Sequence, residues 1–226
     1  MSQHFLHVQQ IIAEQDLAEI TALIATANFS DGKATASHAA QLVKNNQQLS
    51  ETSNSALAHI RRMIDAAVQK NVLFNIAALP QAIHPYIISK YAVGESYGWH
   101  VDSPVMGAPL IRTDLAMTIF LSDPSTYEGG ELLIQTPAGN LAFKPAAGDA
   151  ILYPCQYVHC VQEVKSGTRV AAVTWIQSNV ASMEKRQILF DLNQVHSLMY
   201  QRNPNAPETN LLLQTHSNLF RMWAEL

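Results

Sequence analysis

One constraint dominates this chain. His100 and Asp102 stand one residue apart, and a second histidine, His159, lies far downstream with Arg169 ten residues beyond it. In an extended strand alternate side chains share a face, so the strand reading turns His100 and Asp102 the same way. Two imidazoles and one carboxylate on one side of an octahedral ion are the donor set of a facial-triad iron(II) site, which leaves the remaining positions open. To use that set, the fold must bring a distant strand carrying His159 alongside the first. Arg169, on the next strand, then offers a guanidinium fork suited to a carboxylate.

The middle of the chain has the pattern such a fold requires. Residues 86–93, 115–121, 131–135, 149–153 and 170–177 are short runs rich in β-branched and aromatic residues. Turn clusters separate them: Asp123-Pro124-Ser125, Glu128-Gly129-Gly130, Thr136-Pro137-Ala138-Gly139-Asn140 and Ala147-Gly148-Asp149. Closely spaced short strands of this kind predict an antiparallel sandwich or barrel, with a hairpin across 136–145. Arg169 shares strand parity with Trp175, so both are expected to face the interior.

The flanks read differently. Apolar residues at Ile12, Leu17, Ile20, Leu23, Ile24 and Ala27 predict a helix within 9–29, ended by a turn over 28–32. Residues 33–50 read as loop with a weak helix. A second helix is predicted over 53–70 on the stripe Leu57, Ile60, Ile64 and Ala67. Beyond Asn179 two helices are expected. One carries the stripe Ile188, Leu192, Val195 and Met199, the other Leu212, His216, Leu219 and Trp223, and Asn203-Pro204-Asn205 separates them. The expected division is a helical support region over 1–80, a β core over 81–178 and a helical extension over 179–226.

Composition narrows the function. At 226 residues, 48% hydrophobic and 14% charged, the chain has the make-up of a globular protein with a sizeable core. Its net charge of −4 gives no footprint for nucleic acid. No apolar run approaches the ~20 residues that cross a bilayer, and the N-terminal stretch lacks the basic and apolar regions of a secretory signal. No membrane association is therefore expected, and the expected location is cytoplasmic. Cys155 and Cys160 are read as free thiols rather than metal ligands, because a zinc knuckle needs more ligands at tighter spacing. Glu128 and Glu131, beside Gly129-Gly130, are read as turn residues.

Taken together, the residues resemble the iron(II)- and 2-oxoglutarate-dependent dioxygenases of the prolyl 4-hydroxylase-like branch. The nearly full-length resemblance is to the PKHD-type hydroxylases. It is carried by Tyr91, by His100-Val101-Asp102, by Glu128-Gly129-Gly130-Glu131-Leu132, by Gly148-Asp149, by His159 and Arg169, and by the run from Ser30 to Ala36. The resemblance implies a mainly β fold with helical flanks (α+β), a double-stranded β-helix, or jelly roll. It implies His100, Asp102 and His159 as iron ligands and no catalytic residue beyond them. It implies Arg169 and Tyr91 at the far carboxylate of 2-oxoglutarate, and Trp175 as an aromatic lining the pocket. The cofactors implied are iron(II), 2-oxoglutarate as co-substrate, and L-ascorbate; O2 is the oxidant. The products would be succinate, CO2 and a hydroxylated small molecule or peptide. The C-terminal helices are expected to cap the barrel or to build a homodimer. Two other classes stay open on the residues alone. One is a metal-binding sensor on a similar barrel. The other is a cupin-like metalloenzyme without 2-oxoglutarate, a class whose sites carry more histidines and a glutamate.

Overall fold

The computed structural model describes residues 5–35, 41–51 and 54–225. Two antiparallel sheets face each other as a jelly roll. The larger holds β1 (Leu6–Val8), β14 (Ala150–Pro154), β10 (Leu115–Phe120), β17 (Arg169–Ser178), β6 (Ile87–Tyr91), β4 (Gln47–Leu49) and β2 (Phe29–Asp31) in that spatial order, with β5 (Pro80–Ile83) paired to the end of β17. The smaller runs β13 (Gly139–Phe143), β12 (Leu132–Thr136), β15 (His159–Val161), β7 (Ser96–His100) and β3 (Lys44–Asn45). Two short pairs complete the strands: β8 (Val105–Met106) with β9 (Ile111–Arg112), and β11 (Glu128–Gly129) with β16 (Val164–Ser166).

The larger sheet is buried on both faces. This is why β10 reads as a nearly unbroken apolar run instead of an alternating one. Its odd residues Leu115, Met117 and Ile119 join a core shared with the helices, while Ala116 and Phe120 point into the barrel. On β14 the division is the same: Ala150 and Leu152 face the helices, Ile151 and Tyr153 the interior. Leu132 and Ile134 of β12 meet these interior residues from the smaller sheet.

The helices cover the outer face. In α1 (Glu14–Ala25), Ile20 and Ile24 are one turn apart and buried. In α2 (Asn54–Lys70), Leu57, Ile60, Ile64 and Val68 form a buried stripe at helical spacing. The expected start at Ser53 lies outside the described residues. A short α3 (Val72–Ala78) follows, which the sequence reading did not separate out. Asn71 caps it by accepting from the Phe74 N–H at 2.9 Å, and Leu79 closes it in the left-handed region at φ 46°.

Other expectations change. The stretch 28–32, read as a turn, contains β2, and 33–50, read as loop and weak helix, supplies β3 and β4. The strand expected over 86–93 spans Ile87–Tyr91, and β7 (Ser96–His100) ends at the first histidine of the H-x-D pair. Segment 1–80 therefore contributes strands to both sheets as well as helices.

The C-terminal α4 (Met183–Arg202) packs on α3, and α5 (Pro207–Trp223) packs on α4. The expected α4 stripe is rotated. Ile188 and Val195 are exposed, and Arg186 and Leu189 are buried instead. Arg186 donates from Nη1 to the carbonyls of Val180 and Ala181, which replaces water around its charge. The end of the chain is tied to the β8–β9 hairpin: Arg112 bridges buried Asp114 at 2.7 Å and Glu225 at 2.8 Å.

Ile60 has no exposed surface and lies in the core shared by the helices and the larger sheet. Ile60→Ala is expected to cost about 2–5 kcal/mol, the range for a buried isoleucine truncation. Urea unfolding would show it as a lower midpoint at unchanged slope.

Candidate active site

The antiparallel pairing of β7 with β15 sets His100 opposite His159, the last residue of one strand against the first of the other. Their rings lie 4.3 Å apart between centroids. Asp102 stands two residues beyond His100, past the end of β7. Strand alternation thus ends at His100, yet Asp102 still turns to the same point. One ligand atom from each of His100, Asp102 and His159 lies within 4.8 Å of the others, and this is the sole such cluster among the described residues.

Backbone carbonyls orient both imidazoles. His100 Nδ1 is 2.8 Å from the Gly98 carbonyl and His159 Nδ1 is 3.0 Å from that of Tyr157. A carbonyl only accepts, so Nδ1 carries a proton in each ring and Nε2 is the nitrogen available to a metal. Tyr97 stacks on His100 at 3.7 Å, and Tyr153 meets His159 edge-on at 5.2 Å. Burial and the neighbouring His159 push the His100 pKa down to about 3, which keeps it neutral. Burial pushes the Asp102 carboxyl up, while His159, Trp175 and Cys155 pull it back. His159 Nε2 is 3.8 Å from Asp102 Oδ2, too far for a hydrogen bond, and Oδ2 is buried with no partner.

The three donors face a cavity between the sheets, roughly 760 Å³ including its open mouth. Arg169 begins β17, opposite Tyr91 at the end of β6. It is 1% exposed, its guanidinium carbon is 5.1 Å from the Tyr91 ring centre and 5.3 Å from that of Phe120, and Nε and Nη2 have no partner. Gly130 makes room for it. A Cβ there would come within 3.0 Å of Arg169 Cδ, and its φ of +68° already favours glycine. Trp175, 8% exposed, lines the same cavity, and its Nε1 is buried without a partner.

All six residues singled out in the sequence (His100, Asp102, His159, Arg169, Tyr91 and Trp175) therefore line one cavity. Neither Glu128, Glu131 nor the two thiols enter the ligand cluster. Glu128 pairs in β11, Glu131 lies 3.9 Å from Lys144, and both thiols are free and buried. The sequence reading missed Lys44, Gln48, Tyr97 and Tyr153, which also line the cavity. Tyr97 lies three residues before His100, so strand alternation assigns it to the other face and its stacking carried no sequence signal. Lys44, in a stretch rich in Asn and Gln, carried none.

Comparison with known proteins agrees with this geometry. Residues 86–177 match the 2OG-Fe(II) oxygenase superfamily. A PKHD-type hydroxylase of Acaryochloris marina is 40% identical over 97% of this chain and 99% of its own length, and one of Synechococcus sp. is 42% identical over 98% and 99%. Among solved structures, a Trichoplax adhaerens prolyl hydroxylase in complex with a hypoxia inducible factor peptide fragment superposes with a TM-score of 0.56 at 14% identity, over 83% of this chain and 87% of that one. A Pseudomonas putida prolyl-4-hydroxylase gives 0.51 at 14% identity, over 78% and 94%. These two show the shared double-stranded β-helix. The chain belongs to the PKHD-type hydroxylases within the 2OG-Fe(II) oxygenase superfamily.

The His100 shift has a consequence for the metal-free protein. Between pH about 3 and the unfolded value of 6.5, the unfolded chain binds a proton at His100 that the folded chain does not. That contribution is complete above pH 6.5 and is lost as pH falls, by up to about 1.4 kcal/mol per pH unit. The raised Asp102 acts in the opposite sense. Compared with wild type, His100→Gln is expected to lose less stability between pH 7 and pH 5, read by urea unfolding in chelator.

Proposed function

We propose that His100, Asp102 and His159 hold the iron(II) of this hydroxylase and that Arg169 and Tyr91 hold the far carboxylate of 2-oxoglutarate. The observation that carries this reading is Arg169. A buried guanidinium with two unpartnered nitrogens faces the same cavity as the three donor atoms. Such a charge is costly unless an anion pairs with it, and a carboxylate fits the fork bidentately. The donor set supports iron as well: two imidazoles whose Nδ1 atoms are held by backbone carbonyls, which leaves Nε2 of each for a metal, and a buried carboxylate oxygen without a partner. When bound, iron(II), 2-oxoglutarate and O2 together supply the oxidising power, yielding succinate, CO2 and a hydroxylated product.

The residues divide the remaining work. The carbonyls of Gly98 and Tyr157 fix the imidazoles, and Tyr97 stacking holds the His100 plane. The Trp175 indole lines the same cavity and its N–H, without a partner, is left for what enters it. Val161, Val173 and Leu132 keep the cavity wall apolar and exclude water from the reacting centre. The β8–β9 hairpin, with Met106 at the cavity, selects a small-molecule or peptide substrate. L-Ascorbate is assigned as the reductant that restores iron(II), on the family resemblance alone. The net charge supports no role with nucleic acid, and no described helix is long and apolar enough to cross a membrane. Two free thiols suit a reducing, cytoplasmic setting. Residues 81–178 carry the candidate catalytic groups and 179–226 form a helical extension, while 1–80 adds helices and edge strands to both sheets.

The test is iron-dependent succinate formation from 2-oxoglutarate, which a sensor or a cupin-like enzyme would not give. Ala at His100, Asp102 or His159 is expected to abolish it. Arg169→Ala is expected to raise the 2-oxoglutarate KM by about 2–5 kcal/mol in equivalent binding energy while sparing iron binding, and Arg169→Lys to lose less. An unchanged KM in the Ala variant would remove Arg169 from the site.

The C-terminal helices expose Ile188, Val195, Leu198, Leu211, Leu213 and Met222. We assign this apolar surface to a symmetric homodimer. Light scattering at micromolar concentration is expected to give twice the chain mass, and a strict monomer would exclude the assignment.

A further inference from the structure

The hairpin at the cavity mouth is tied to the last helix of the chain. Met106 of β8 lines the cavity, while Val105 beside it and Leu110 in the turn are exposed, so the hairpin stands where the cavity opens. Its second strand ends at Arg112, whose backbone N–H donates to Gln177 Oε1 at 2.9 Å. The guanidinium spans three segments. Nε and Nη2 donate to the two oxygens of Asp114 at 2.7 and 3.1 Å, Nη2 also donates to the Ser178 carbonyl at 3.2 Å, and Nη1 donates to Glu225 at 2.8 Å. Glu225 is itself held. Its N–H donates to the Asn179 carbonyl at 2.7 Å, and the Ala224 N–H before it caps α5 on the Phe220 carbonyl at 2.8 Å. Arg112 therefore joins the hairpin, the end of the strand that carries Trp175, and the end of the helical extension.

Its two acidic partners differ in setting. The Asp114 side chain is 7% exposed, takes the guanidinium edge-on, and also accepts from the Ser178 N–H at 2.8 Å. Asp114 by itself neutralises Arg112 and fixes it to β17. It is also the main cause that raises the Arg112 pKa, with Glu225 adding less. The Glu225 side chain is 59% exposed, and an exposed ion pair is weak and screened by salt. The fold does not depend on it, so what it adds is a link from the extension to the hairpin. We propose that Glu225, acting through Arg112, holds the hairpin in the pose that narrows the cavity mouth, so that the C-terminal extension controls entry to the site. Arg112 and Glu225 are then positioning residues, and the control of entry rests on the iron and 2-oxoglutarate reading above.

The test compares the full-length wild type with Glu225→Gln and Glu225→Lys. Backbone hydrogen exchange is read first, on metal-free protein. Exchange across 105–112 is expected to rise about two- to fivefold in Glu225→Gln, the scale of one exposed ion pair, and further in Glu225→Lys, where like charges meet. Exchange in β12 and β15 is expected to stay the same. Salt at about 1 M is expected to bring the wild type to the level of Glu225→Gln and to leave that variant unchanged, because it screens the pair. Entry of 2-oxoglutarate is then followed anaerobically by the visible absorption of its iron(II) complex. The rates of formation and loss are expected to rise together in the variants, at unchanged Kd. Unchanged exchange across 105–112 would overturn the link, and unchanged rates beside faster exchange would overturn the control of entry. A Kd weakened about tenfold in Glu225→Gln would also overturn it, since Glu225 would then act on the site itself. If the wild type forms no absorption, the co-substrate reading fails and the control of entry falls with it, while the exchange rates still decide the link.

Discussion

Everything at the site depends on the register of one strand pair. β15 meets β7 so that His159 faces His100. A slip by one residue would turn one imidazole to the other face of the sheet and leave the cluster without its third ligand. The register is held from outside the site. β15 is also paired on its far side with β12, where Ile134 stands opposite His159. Buried Leu132 and Ile134 face the interior core, so moving β15 would drag apolar side chains out of it. The three candidate donor side chains are thus positioned by packing that has no chemical role itself.

The cavity survives because the two faces of the larger sheet do different things. Its outer face is filled by α1, α2 and α3 in one continuous core. Its inner face meets the smaller sheet in a second core at one end and leaves space at the other. Stability comes mainly from the first face, which frees the second to carry polar groups. Asp102, Arg169 and Trp175 all keep buried atoms without partners, an arrangement that a self-contained core would disfavour.

Glycine makes that arrangement possible next to Arg169. Gly130 lies where a side chain would press on the guanidinium stem, and Gly129 approaches the Glu163 carbonyl so closely that a Cβ has no room. The Glu-Gly-Gly-Glu run, which looked like a simple turn, is a close backbone approach that lets β11 pair with β16 beside Arg169. A pair of short strands too small to stand alone is held there by what it packs against.

The long apolar strands were legible because burial on both faces leaves a dense β-branched run, and Leu115–Phe120 or Arg169–Ser178 has little alternative to being a central strand. The helix stripe of Leu57, Ile60 and Ile64 was legible for the matching reason, period against a flat core. Local spacing also identified His100 and Asp102 as a pair, and parity joined Arg169 to Trp175. The short edge strands β2, β3 and β4 were not legible. They are polar, two or three residues long, and become strands only when a neighbour offers a ladder. Lys44 entered the cavity by that route, so its place could not be read before β3 met β7. The sequence by itself determined the donor types, their pairing and the β-rich core, because these depend on residue chemistry and short-range periodicity. Only the tertiary structure decided that His159 meets His100, that Asp102 turns inward beyond its strand, and that Lys44 lines the same cavity. Each of those depends on contacts between segments whose separation along the chain carries no local signal.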